Sequence, residues 1–278
     1  EFLNYSFAFQ KEAFDDPSIH SIILDDDREN PNYKIVISAV EDLVKNGLID
    51  ETSFAATKLG NAIVSANLTM TEGLKLNKNI LKVMKVLCLS DSLHLLSLCI
   101  PTYTGIYIPS FTEGVWETIF VKHSHVINLI TNKTTKELQR IIIQSYNGRT
   151  ISKEEISEFE RIFAGCILER LIEECSLQEI EKMFMVERGT IQILQTSASS
   201  FAGQATKFAD EMGYSILSAA LTRFRKRLEF GVKEELIELM SIPSCSREIA
   251  REMYDRGICN ARDCVDASSN EILQCIKA

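Results

Sequence analysis

The chain has 278 residues, 45% of them hydrophobic and 25% charged, which suits two or three domains that each bury a core. No apolar run reaches the ~18 residues that span a bilayer, and the opening EFLNYSF lacks the basic start and small-residue cleavage site of a signal peptide, so a soluble protein is expected. The net charge of −9 argues against wholesale affinity for nucleic acid, so contact with phosphates would have to come from segregated basic segments.

The first residue is Glu rather than Met, and the chain is expected to begin partway through a larger protein. Residues 15–29 are acid-rich, and SIILDDD resembles a strand delivering acids to magnesium. Without a phosphate loop to accompany it, it reads as an acidic loop. The segment YKIVISAVEDLVKNGLID follows, with Ile35, Val40, Leu43, Val44 and, fitting less well, Ile37 on one helical face and Asn46-Gly47 as a stop. Next, LIDETSFAATKLGNAIV gives a short strand, a turn and a second strand ending at Ala55-Ala56, and Thr57 caps a further helix. This is the text of a winged-helix unit, although other small hairpin units share it.

From Leu68 the text is helical. Thr69 to Glu72 forms a capping box that opens EGLKLNKNILKVMKVLCL, whose buried stripe is Leu76, Ile80, Val83 and Leu87. Lys75, Lys78, Lys82 and Lys85 lie within roughly 80° of one another on a neighbouring face. DSLHLLSLCIP is a short buried helix stopped by Pro101, and residues 101–114 form a loop with two prolines and two glycines. Helices are then expected over Val115–Ile130, Thr134–Tyr146, Ser152–Cys175, Ser176–Phe184, Arg188–Met212 and Tyr214–Phe230. From Val232 the helices become short and are separated by SIPSCS and RGICNARD, in the manner of a helix-hairpin-helix module.

The helix of RGTIQILQTSASSFAGQATKF stands apart. Ile191, Leu194, Ala198, Phe201, Ala205 and Phe208 recur at helical spacing, yet the opposite face holds Gln192, Gln195, Thr196, Ser199, Ser200 and Gly203 and carries almost no charge. Solvent-facing helix surfaces normally carry charge. Shortly after it, residues 214–233 contain five basic residues and one acid, Glu229.

Much chemistry is missing. There is no phosphate-binding GxxxxGK loop, nucleophile elbow, HExxH or dinucleotide fingerprint, so no catalytic residue is assigned. Eight scattered cysteines in apolar helical text suit reduced, buried thiols of an intracellular protein. The spacing of Cys245, Cys259, Cys264 and Cys275 is wrong for paired zinc knuckles. His123 and His125 alternate in KHSHV with no third ligand at usable spacing, and no metal site is expected.

RGTIQILQTSASSFAGQATKFADEMGY, followed by LTRFRKRLEFGVKEELIELMSI, resembles a known family: the non-motor C-terminal part of superfamily 2 DNA helicases related to the helicase region of DNA polymerase theta, together with helicase-POLQ-like proteins and their archaeal repair-helicase relatives. TKLGNAIVSANLTMTEGL, LSDSLHLLSLCIP and AREMYDRGICNARD match in order, so the resemblance covers about Asn46 to Ala278. It implies a mainly α fold: a winged helix over 1–66, a helical ratchet bundle over 67–231 and a helix-hairpin-helix domain over 232–278. It also implies partners: single-stranded or forked DNA, RecA-like motor domains of the same polypeptide and repair proteins, with no membrane. ATP and magnesium would belong to that motor, leaving no cofactor for this chain, and the setting would be nuclear. The helix that begins at Arg188 matches the family's ratchet helix, which lies along a single strand.

A helix that lets a strand slide should offer weak hydrogen-bonding groups and small residues, with cations at its margins. The expected DNA contacts are therefore Arg188, Gln192, Gln195, Thr196, Ser199 and Lys207, followed by Arg223, Arg225, Lys226 and Arg227. Two alternatives stand beside this: a tight helix–helix contact would use the same small residues, and Arg223 and Arg227 could pair with acids across the bundle. In the terminal domain the hairpin has no glycine, so contact there would rely on Arg247 with Ser244 and Ser246. A protein-interaction or self-assembly scaffold of the same fold, without DNA binding, is the rival reading.

Overall fold

The structure is a computed structural model that describes residues 31–277, apart from 86–91 and positions 103, 110, 112, 113 and 132. The acidic 15–29 segment and SIILDDD lie outside the described residues. Among those described there are fourteen α-helices, one isolated antiparallel bridge and no named strand, so the fold is mainly α as expected. No described helix is long and apolar enough to cross a membrane. Contacts divide the chain into two units, one running to residue 85 and taking in 204–218, the other made of 86–203 and 219–278.

In the first unit, α1 (Pro31–Lys45), α2 (Lys58–Ser65) and α3 (Met70–Met84) bury Leu43, Leu48, Ile49, Ala62, Ile63, Leu76, Ile80 and Val83. The expected hairpin is shorter than its text suggests: the two strands reduce to a single bridge between Ile49 and Ala56. The physical reason is the turn. Asp50 Oδ1 accepts from the backbone N–H of Ser53 at 2.8 Å and of Thr52 at 3.1 Å, and Phe54 takes φ +52°, so the reversal consumes residues that would otherwise extend the ladder. Thr57 caps α2 by accepting from Gly60 N–H at 3.1 Å and donates its own hydroxyl to Gly47 O at 2.7 Å. Gly60 is required there, since a Cβ would sit 2.2 Å from Leu48 O. Thr69 and Glu72 form the expected capping box at the start of α3.

The second unit contains α4 (Ser92–Cys99), α5 (Val115–Lys122), α6 (Ser124–Ile130), α7 (Thr135–Tyr146), α8 (Lys153–Ile172) and α9 (Leu177–Phe184). At its centre α8 is buried on every side from Ile162 to Leu168, the pattern of a helix that is apolar all round. Phe159 and Phe163 of α8 meet Trp116 with ring centroids 5.0 and 5.9 Å apart, and Phe184 joins Phe163 edge-on at 5.6 Å. The single helix expected over Val115–Ile130 is broken at His123, whose φ −120° and ψ 26° leave the helical region. No proline or glycine marks the break.

Two long helices follow, α10 (Arg188–Glu211) and α11 (Ser215–Phe230), and each contributes residues to both units. Beyond Val232 come two 3-10 turns, Glu234–Leu236 and Leu239–Ser241, then α12 (Arg247–Asp255), α13 (Ala261–Asp266) and α14 (Ser269–Lys277). This stretch has its own small core of Val232, Leu236, Leu239, Ala250, Met253, Ile258 and Cys275.

Candidate nucleic-acid interface

Helix α10 is set by its apolar register. Ile191, Leu194, Ala198, Ala202 and Ala205 are fully buried, and Phe201 nearly so. Opposite them, Gly189, Gln192, Ile193, Thr196 and Ser200 are exposed, and Gly203 is half-exposed. No charged residue occurs between Arg188 and Lys207. From Gly189 to Gly203, about four turns of helix therefore present a surface of small, amide, hydroxyl and apolar groups without a fixed charge. The backbone is tied where it can be: the Thr196 hydroxyl donates to Gln192 O one turn back at 3.0 Å.

The expected polar face is not all on one side. Gln192 and Thr196 are open, but Gln195 and Ser199 turn towards neighbouring protein. Ser199 is buried. Gln195 Nε2 donates to Leu228 O and to Glu229 O, both at 2.9 Å. These belong to the last turn of α11, where helix carbonyls have no partner of their own. The exposed row is thus Gln192, Thr196 and Ser200, one step round the helix from the row that includes Gln195 and Ser199.

The same α11 terminus gathers two more of the expected contacts. Arg227 is buried; its Nε donates to Val232 O at 3.3 Å, its Nη2 lies 3.8 Å from Glu173, and its guanidinium stacks 5.4 Å from the centre of the Phe224 ring. Burial holds that guanidinium below the usual arginine range, and Glu173 opposes the effect. Arg247 donates to Gly231 O at 3.3 Å. Gly231 itself takes φ +66°, which ends α11. Gln195 thus satisfies last-turn carbonyls of α11, and Arg227 and Arg247 bond the carbonyls just beyond it, placing two cations at the negative end of the helix.

The other cations stand outward. Arg223 is exposed and paired with Glu234, and Arg188 is exposed with Glu181 3.7 Å away. Arg225 and Lys226 are exposed. The Arg225 guanidinium lies over Gly203, its Cζ and Nη1 3.4 Å from where a Cβ would be, so a cation borders the uncharged face. Lys207 is exposed on the last turns of α10, within the first unit.

Beneath the terminal segment, Glu174 acts as a clamp. Its carboxylate accepts from Arg251 Nε and Nη2, both at 2.7 Å, and from Lys233 N–H at 2.9 Å. Burial pushes this carboxyl up, but the hydrogen bonds from Arg251 and Lys233 outweigh it and hold the group below the ordinary carboxylate range.

A second polar group lies elsewhere in the same unit. His123 Nδ1 is 2.6 Å from Glu169 Oε2, and His125 Nε2 contacts Glu169 Oε1. Glu169 sits on α8, more than forty residues away in sequence, so spacing along the chain did not place it beside the two imidazoles. AGCILERL gave no sign of it beyond a carboxylate, followed by Arg170, in a largely apolar segment.

Residues 71–228 match the protein family described as DNA_pol_Q helicase like region helical domain. DNA polymerase theta from Mus musculus is 28% identical over 228 residues, which is 80% of this chain and 9% of that protein. Helicase POLQ-like from Homo sapiens is 24% identical over 245 residues, covering 83% of this chain and 22% of its own length. The ATP-dependent DNA helicase Hel308 of Methanocaldococcus jannaschii is 28% identical over 164 residues, 59% of this chain and 12% of the archaeal protein. The chain thus spans between about a tenth and a fifth of the length of these relatives.

Proposed function

The chain belongs to the family of the DNA polymerase theta helicase-like helical domain, and from that premise we propose that it is the DNA-guiding module of an ATP-dependent 3′–5′ DNA repair helicase. In this reading a single strand runs along the exposed face of α10, with Gln192, Thr196 and Ser200 offering exchangeable hydrogen bonds and Ile193 an apolar contact. Arg225 and Lys226 hold phosphates at the margin, and Arg188 adds a cation where the helix begins. Winged-helix and helix-hairpin-helix units would flank it, and the RecA-like motor with its ATP and magnesium would be supplied by the parent polypeptide, in the nucleus.

The observation that carries the proposal is the exposed, charge-free row of α10 formed by Gln192, Thr196 and Ser200. A fixed cation on that face would trap a phosphate, and a fixed anion would repel it. Neutral groups let a strand pass, and the affinity comes from cations beside the path.

Fluorescence anisotropy of labelled oligo-dT across a salt series tests this. For single strands the slope of log K against log salt is roughly −0.7 per phosphate neutralised. The double substitution Arg225→Ala/Lys226→Ala should make the slope shallower by about 1.4, while Arg227→Met should leave it unchanged. An unchanged slope in the double variant would refute the assigned surface. Absence of binding at low salt in the unmodified chain would favour the interaction scaffold.

A further inference from the structure

We infer that His123, His125 and Glu169 form a binding site for a divalent ion of the zinc class. The donor atoms of all three lie within 4.8 Å of one another, and among the described residues they are the one such group of three. Two imidazoles and a carboxylate are the donor set that zinc, cobalt and nickel favour, with a fourth position left for water.

The backbone is shaped for this convergence. In an unbroken helix, residues two apart point about 200° away from each other. His123 and His125 instead reach the same carboxylate, because the chain leaves the helical region at His123 between α5 and α6. Nothing in the local sequence requires that break. His123 is buried, with its ring 5.9 Å from that of Phe184, and Glu169 projects from the most buried helix of the unit. Two of the three ligands are therefore held before any ion arrives. His125 is 45% exposed and forms the open side through which an ion and its water would enter.

Zinc–nitrogen bonds of about 2.0–2.1 Å place tetrahedral ligand atoms about 3.3 Å apart. The 2.6 Å between His123 Nδ1 and Glu169 Oε2 is shorter than that, so the side chains must draw apart by about 0.7 Å to admit the ion. The bound ion would pin the α5–α6 break to α8.

The test uses the full chain, free of any histidine tag, stripped with chelator and then loaded with zinc chloride or cobalt chloride. One zinc per chain should survive desalting, and cobalt should give visible d–d absorption of a low-coordinate site. His125→Ala removes an exposed ring and spares the core; with Glu169→Gln it should weaken binding at least about 100-fold, with the far-ultraviolet circular dichroism retained. A cobalt complex that retains its spectrum in both variants would overturn the assignment. So would failure of the unmodified chain to bind either metal at micromolar concentration, which would leave Glu169 as a hydrogen-bond acceptor shared by two imidazoles.

Discussion

Replacing Gln195 by alanine separates a helix-capping amide from a strand-facing one. Its Nε2 makes two hydrogen bonds of 2.9 Å, to Leu228 O and Glu229 O. A hydrogen bond within a protein contributes about 1 kcal/mol net. The Glu229 carbonyl lies on the exposed side and regains water when the amide is removed, whereas the Leu228 carbonyl is part-buried and recovers less. The expected loss is therefore about 1–2 kcal/mol. With a urea dependence of about 2–3 kcal/mol per molar, the unfolding midpoint should fall by about 0.5 M. Trp116 is the single tryptophan, and it is buried in the unit that holds both Gln195 and Leu228. Its fluorescence reports that unit without requiring the whole chain to unfold in one step. Gln192→Ala is the control: an exposed position on the same helix should leave the midpoint within about 0.1 M and weaken DNA binding instead. An unmoved Trp116 midpoint in Gln195→Ala, or an equal fall in Gln192→Ala, would refute this division of the face.

Gly231→Ala should destabilise the same unit by about 1–3 kcal/mol, because φ is +66° and the new Cβ would sit 3.1 Å from Leu171 Cγ and 3.3 Å from Gln195 Nε2; the Trp116 urea midpoint checks it, and a neutral result would mean that α11 can end differently. Glu174 titrates below its ordinary value of 4.5 in the folded chain, so the stability it contributes is complete above that value and is lost as pH falls through the lower folded value. Glu174→Gln should accordingly lower the urea midpoint at pH 7 and flatten its decline between about pH 5 and 3; parallel pH profiles for the variant and the parent chain would exclude Glu174 as the linked group.

The sequence made some features plain because they are local. The three- and four-residue recurrence from Ile191 to Phe208 specifies α10 and its buried side, and Thr69 with Glu72 specifies the start of α3. It left others unreadable because they are settled at a distance. Gln195 lies at the border between the apolar stripe and the polar face of α10. Its direction is decided by the free carbonyls of α11, thirty-three and thirty-four residues on. The meeting of His123 with Glu169, forty-six residues away, is equally unreadable from local spacing. The hairpin erred the other way: β-favouring text around Ile49 and Ala56 is real, but an aspartate turn leaves room for one bridge.

Charge is where distance matters most. Residues 214–233 read as a basic segment, and a basic segment invites a phosphate backbone. Yet three of its five cations are already answered by carboxylates: Arg223 by Glu234, and Arg227 and Lys233 by Glu173. Two of the three are exposed pairs of small energetic weight, but Arg227 is buried and committed to the end of its own helix. What remains open is Arg225 and Lys226, and Arg225 rests over Gly203 of α10, which has no side chain to hold it off. The count of bases in a segment therefore overstates its cationic surface. The relevant quantity is how many remain after the protein's own helix termini and acids have taken theirs, and here that remainder adjoins the uncharged face of α10.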